Sequence, residues 1–151
     1  MTSTKLWTQV CAFHDLDNLT SKIAAELRTP GTPKPFCLWL SGPLGAGKTT
    51  IVWQLLRKLG LPDLMPVTSP TYTYMNEYEI GTRWFAHLDL YRTNASLYSE
   101  DLGLADARSY DGFFVEWPEK KINDPFLQPT HTLTIEFGTK LDERVFHFTR
   151  Q

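Results

Sequence analysis

The chain has 151 residues, about one domain's worth, and 42% of them are hydrophobic, which excludes disorder for most of its length and supplies a sizeable core. Fifteen Lys and Arg against seventeen Asp and Glu give a formal net charge of −2, so no overall positive field draws in nucleic acid and stand-alone nucleic-acid binding is not expected. Cys11 and Cys37 stand in neither a metal nor a redox spacing, which excludes a disulfide scaffold. The polar start lacks the apolar stretch of a signal peptide, and nowhere do 18 apolar residues run together, so no membrane association is expected and a reducing cytoplasm is the default location.

In chain order, Lys5 to Phe13 reads as a strand. Asp15 or Asp17 then caps a helix whose Leu19, Ile23 and Leu27 share a face and which ends at Arg28. Thr29 to Pro35, with three prolines and a glycine, is a connecting loop. It leads into Phe36-Cys37-Leu38-Trp39-Leu40, an unbroken apolar run that suits a central strand buried on both faces. A glycine-rich turn follows, then a helix from Thr49 to Leu59 with Ile51, Val52, Leu55, Leu56 and Leu59 as its apolar stripe and Gly60 as its stop. Thr71 to Ile80 and Thr82 to Leu90 read as an antiparallel hairpin around Gly81. Leu97 to Tyr110 reads as helix and Phe113 to Val115 as a short buried strand. His131 to Phe137 and Val145 to Phe148 are the last two strands. The expected fold is α/β, a single domain with a mixed sheet of parallel core and antiparallel strands flanked by helices.

Gly42-Pro43-Leu44-Gly45-Ala46-Gly47-Lys48-Thr49 satisfies G-x-x-x-x-G-K-[ST] between a buried strand and an amphipathic helix, the context that pattern requires. Gly42, Gly45 and Gly47 let the backbone curl so that successive N–H groups face a phosphate, and the helix behind adds its positive end. Lys48 reaches the β and γ phosphates as a point charge, and the Thr49 hydroxyl is a natural ligand for magnesium bridging them. Thr50, next along, packs or caps. A plain glycine turn has no need of Lys-Thr at the first helical turn.

Such a loop needs acids to hold metal and orient water. Phe85-Ala86-His87-Leu88-Asp89 and Gly112-Phe113-Phe114-Val115-Glu116 each end an apolar run in a carboxylate, where parallel strands present ligands at their carboxyl ends. Either acid alone also fits an ordinary strand end. A carboxylate beside a buried strand nevertheless costs desolvation unless a cation offsets it.

Taken together, Gly42 to Thr50, Ser69-Pro70-Thr71-Tyr72-Thr73, His87-Leu88-Asp89-Leu90-Tyr91-Arg92 and Glu116-Trp117-Pro118-Glu119 resemble the TsaE family, also called YjeE, over most of the chain. That resemblance implies a P-loop fold and a bacterial ATPase required to make threonylcarbamoyladenosine in tRNA, working with TsaB and TsaD, with ATP and magnesium as cofactors and tRNA reached only through the complex. It implies that Lys48 and Thr49 grip phosphate and metal, that Glu116 joins the metal shell and Asp89 is the second acid. Thr71 becomes part of a switch segment and Trp117 the family's tryptophan near the nucleotide, so that Gly42 to Thr50, Thr71 and Trp117 form the nucleotide-binding set. Pro43 departs from the family, where many members carry an acid.

His87, two residues before Asp89, faces the same side of its strand and either orients that acid or packs in the core. Arg92 is read as a solvated or ion-paired side chain. Cys37, Trp39 and Trp53 are read as core, and His131 and His147 as lacking partners at zinc-ligand spacing. The favoured function is a weak, partner-stimulated ATPase that drives a conformational change for a separate transferase. A small-molecule kinase and a nucleotide-dependent binding module are the alternatives, and the scattered Arg83, Arg92 and Arg108 give no arginine-bearing lid.

Overall fold

The computed structural model describes residues 2–93, 98, 100–104, 109–120 and 122–151, and of residue 120 the backbone alone. Seven strands form one sheet: β1 (Thr4–Ala12), β2 (Phe36–Ser41), β3 (Met75–Ile80), β4 (Arg83–Asp89), β5 (Gly112–Glu116), β6 (His131–Phe137) and β7 (Glu143–Arg150). Their spatial order is β1-β7-β6-β2-β5-β4-β3. The inner strands β6, β2, β5 and β4 run parallel, and β7 with β1 on one side and β3 on the other add antiparallel edges. The sheet is therefore mixed, with the parallel core where the apolar run at Phe36 required it.

Helices α1 (Asp17–Leu27) and α2 (Lys48–Lys58) pack against each other on one face. Leu19, Ile23 and Leu27 meet Ile51, Val52, Leu55 and Leu56 over a floor that includes Phe36, Leu38, Leu40 and Phe114, all fully or almost fully buried. Phe36, Phe85 and Phe114 form an aromatic trio there, with ring centroids 5.4 to 6.5 Å apart. The opposite face carries Cys37, Ala86, Leu88, Phe113 and Val115, and is covered by Leu90, Leu104, Ile122 and Leu127 from irregular chain. Short 3₁₀ turns at Pro118–Lys120 and Pro125–Leu127 belong to that segment.

α2 ends as Gly60 promises. The Gly60 N–H donates to Arg57 O and the Leu61 N–H to Leu56 O, the paired bonds of a Schellman motif, with Gly60 at φ 112° and Leu61 buried. Four expectations need correction. Neither Asp15 nor Asp17 caps α1: Leu16 occupies the cap position because its side chain is drawn into the core, and Asp17 instead accepts from Lys58 Nζ at 2.5 Å. Trp53 is not core. It is 42% exposed, because Val52, Leu55 and Leu56 take the buried stripe and Trp53 falls off it. The first hairpin strand begins at Met75 rather than Thr71, since Thr71 to Thr73 form a turn and Tyr74 adopts φ 65°. Of the helix expected from Leu97 to Tyr110, residues 97, 99 and 105–108 lie outside the described residues. The described Glu100 to Gly103 form turns, with Gly103 at φ 71°.

Candidate functional site

Parallel strands bring their carboxyl ends to one edge, so the loop after β2, the end of β4 and the end of β5 meet there. The register pairs Leu40 with Glu116 and Asp89 with Glu116, which sets both acids beside the start of the glycine loop. A cleft of about 550 Å³ opens at this edge. Gly45, Gly47, Lys48, Thr49, Thr50, Thr71, Asp89, Glu116 and Trp117 all line it. Gly42 and Ala46 do not. They stand behind the loop, with Ala46 fully buried and its N–H donating to Pro43 O at 3.0 Å.

The glycines are needed for two distinct reasons. Gly47, the N-cap of α2, sits at φ 104°, and a Cβ there would lie 2.1 Å from Phe13 Cε2, so both conformation and space demand glycine. Gly45, at φ 78°, has open space around it and needs only the left-handed backbone. α2 carries no acid in its first turn, which leaves its positive end free for an anion.

Lys48 is only 5% exposed, and its ammonium donates to Gly42 O at 2.7 Å and Pro43 O at 3.0 Å while lying 3.9 Å from the centre of the Trp117 ring. Burial lowers its pKa below the ordinary lysine value, opposed by the charges of Glu116, Glu119 and Asp89. Trp117 holds a left-handed backbone at φ 57°, uncommon for a bulky side chain, and its ring also packs on Tyr91 with centroids 4.9 Å apart. A strained tryptophan thus closes one side of the lysine.

The two acids are held differently. Glu116, 3% exposed, accepts at Oε1 from the Thr49 hydroxyl at 2.8 Å and from His87 Nε2 at 2.7 Å. Asp89, 2% exposed, accepts at Oδ2 from Thr71 at 2.6 Å and Ser69 at 3.0 Å, and at Oδ1 from the Tyr91 N–H at 2.9 Å. His87 therefore serves the neighbouring strand's acid. The expectation that it orients Asp89 fails because Asp89 points onward to the Ser69–Thr71 turn, while Glu116 ends the adjacent strand within the ring's reach. Arg92 lies over the Tyr72 ring at 4.4 Å and donates to its hydroxyl.

Sequence reasoning left several cleft residues without a role. Ser69 and Tyr91 carry no chemical signal of their own: the Ser69 bond to Asp89 and the Tyr91 contact with Trp117 depend on how separate segments fold together, while the Tyr91 N–H bonds locally to Asp89 two residues back. Phe13 had no signal at all, since its place beside Gly47 is a contact between distant parts of the chain. Behind the loop, Arg144 is 8% exposed, donates to Leu141 O and Glu143 O, and lies over the rings of Phe13 and Phe137.

The donor set suits a hard cation and a phosphate chain: one hydroxyl and two carboxylates, a left-handed glycine cradle, and a helix end with no acid in its own first turn. Among the described residues no group of three or more His, Cys, Asp or Glu could hold a metal unaided. No helix among the described residues is long and apolar enough to cross a membrane.

Comparison with known proteins bears on the family and the fold. The family model described as "Threonylcarbamoyl adenosine biosynthesis protein TsaE" matches residues 12–146. The tRNA threonylcarbamoyladenosine biosynthesis protein TsaE of Haemophilus influenzae is 38% identical over 66% of this chain and 62% of its own length. That of Aquifex aeolicus is 43% identical over 54% of this chain and 56% of its own. The chain thus matches less than two thirds of the length of these relatives. The crystal structure of Bacillus subtilis YdiB superposes with a TM-score of 0.66 at 25% identity, covering 99% of this chain and 86% of that one. A match from the end of β1 into β7, over a mixed sheet with the glycine loop at its edge, identifies the chain as a member of the TsaE family of threonylcarbamoyl adenosine biosynthesis proteins.

Proposed function

We propose that the chain is a magnesium-dependent ATPase serving as the accessory subunit of the complex that makes threonylcarbamoyladenosine in tRNA, coupling ATP binding and hydrolysis to turnover of a TsaB–TsaD transferase. The observation that carries this reading is the convergence of Lys48, Thr49, Asp89 and Glu116 on one cleft at the carboxyl ends of β2, β4 and β5. Three separate stretches of sequence contribute to it.

The loop N–H groups and the α2 end bind phosphate, and Lys48 exchanges the carbonyls of Gly42 and Pro43 for phosphate oxygens. Thr49, with Glu116 holding its hydroxyl proton, and Asp89 are the residues that would hold magnesium or the water around it. When bound, the metal supplies charge neutralisation at the phosphates. Trp117 packs over the lysine and screens it from bulk water. Thr71 and Ser69 tie a loop to Asp89, so a change at that acid reaches the surface beside Tyr72. This couples nucleotide state to a partner surface.

Calorimetry with ATP and phosphate release with and without magnesium test the proposal, using Lys48→Ala as control. Magnesium-dependent binding and slow release by wild type alone, both lost in the variant, are expected. Equal values for wild type and a folded Lys48→Ala would overturn it, and phosphate transfer to a small acceptor would favour a kinase.

A further inference from the structure

We infer that His87 is a positioning residue for Glu116: its Nε2–H fixes one carboxylate oxygen so that the other is presented to the metal shell. The inference rests on the magnesium-nucleotide reading of the cleft. His87 is fully buried on β4 and sits opposite Phe114 of β5, two residues before the Asp89 and Glu116 pair, so its ring lies on the same face as both acids.

A carboxylate oxygen only accepts, so the 2.7 Å contact is a donation from Nε2. The same Oε1 also accepts from Thr49 at 2.8 Å, and among the described residues Oε2 accepts from no protein group. The last torsion of a glutamate is soft, and two donors from different elements, β4 and α2, set it. His87 Nδ1 is the one buried side-chain N or O atom among the described residues without a partner. A histidine kept for packing beside Phe114 would be a poor choice, since an apolar side chain fills the space without burying a naked nitrogen. Its contribution lies at Nε2, on the acid.

The test compares wild type, His87→Leu and His87→Gln by ADP calorimetry with and without magnesium, alongside thermal melting. Wild type is expected to bind ADP more tightly with magnesium. His87→Leu should lose at least about fivefold of that enhancement while keeping metal-free ADP affinity within about twofold. His87→Gln, whose amide N–H reaches as far as Nε2, should retain most of it. If His87→Leu does not fold, His87→Asn, with an amide too short to reach, replaces it with the same expected loss. An unchanged magnesium enhancement in the Leu or Asn variant, or equal loss in the Gln variant, overturns the positioning role even if melting temperatures fall. Absence of ADP binding by wild type overturns the nucleotide reading and this inference with it.

Discussion

At Lys48 a cation is stored against backbone carbonyls and an aromatic face within a buried site, so its side chain is arranged before any phosphate arrives. Replacing it with alanine removes a charge-assisted contact worth about 1.5–3 kcal/mol, which weakens nucleotide binding about ten- to a hundredfold. Calorimetry reads this directly, and near-unchanged far-UV circular dichroism should accompany it, because the ammonium bonds to loop carbonyls and not to the backbone of a helix or strand. Glu116 and Trp117 touch the site through different chemistry, so their variants should fail differently. Glu116→Gln keeps size and loses charge, and should shift the magnesium concentration for half-maximal turnover upward. Trp117→Phe should leave that titration in place while altering nucleotide affinity. Identical magnesium titrations for wild type and Glu116→Gln would contradict a metal role for the acid.

Among elements, the glycine loop makes the sharpest prediction. Gly45→Ala forces a left-handed residue into open space, at a cost of about 1–2 kcal/mol. Gly47→Ala adds a collision with the Phe13 ring, so it should lower thermal stability further and displace the start of α2. Comparable melting temperatures for the two variants would mean that Phe13 gives way freely. The loop itself was legible in sequence because its chemistry is local: glycines, Lys48 and Thr49 at fixed spacing between a buried strand and an amphipathic helix. The β-hairpin at Gly81 and both helix stripes were legible for the same reason. What sequence did not disclose depends on long-range placement. Leu16 takes the α1 cap because the core claims its side chain, and His87 binds Glu116 because β4 and β5 are neighbours in the sheet, which no spacing along the chain encodes. Phe13 likewise reaches Gly47 only once β1 has paired with β7.

At the scale of the whole molecule, stability depends on contacts between remote segments. His131 of β6, Glu26 of α1 and Arg150 of β7 meet in one cluster, with Arg150 Nε 2.9 Å and His131 Nε2 3.4 Å from Glu26 Oε1. Burial lowers the His131 pKa below 6.5, outweighing the attraction of Glu26. For Glu26 burial acts upward, but hydrogen bonds from Arg150 and His131 together bring its pKa below 4.5. In the first case the unfolded chain binds more protons as pH falls through 6.5, so that stability is lost on acidification from that point. The glutamate's share persists above 4.5 and is lost only as pH drops below it. Thermal melting between pH 7.5 and 5 should therefore show a decline that His131→Gln reduces, and identical slopes would exclude the histidine as its source.

Partnership concerns the opposite end of the molecule, where the Ser69–Thr71 turn hangs on Asp89 and Tyr72 stands 79% exposed with Arg92 stacked on it. On the proposed reading, the turn tied to Asp89 carries nucleotide occupancy to a docked partner, and that partner in return holds Asp89 in its working position. Alone, the chain should hydrolyse ATP slowly and bind tRNA poorly, given a net charge of −2. Mixing with purified TsaB and TsaD should raise phosphate release, and Tyr72→Ala should blunt that rise. Reconstituted threonylcarbamoyl transfer to tRNA should continue over many turnovers with wild type and stall after the first with Lys48→Ala. Sustained transfer at the same rate without this chain, or with the lysine variant, would reject the accessory-ATPase reading, because ATP turnover in this cleft would then drive nothing.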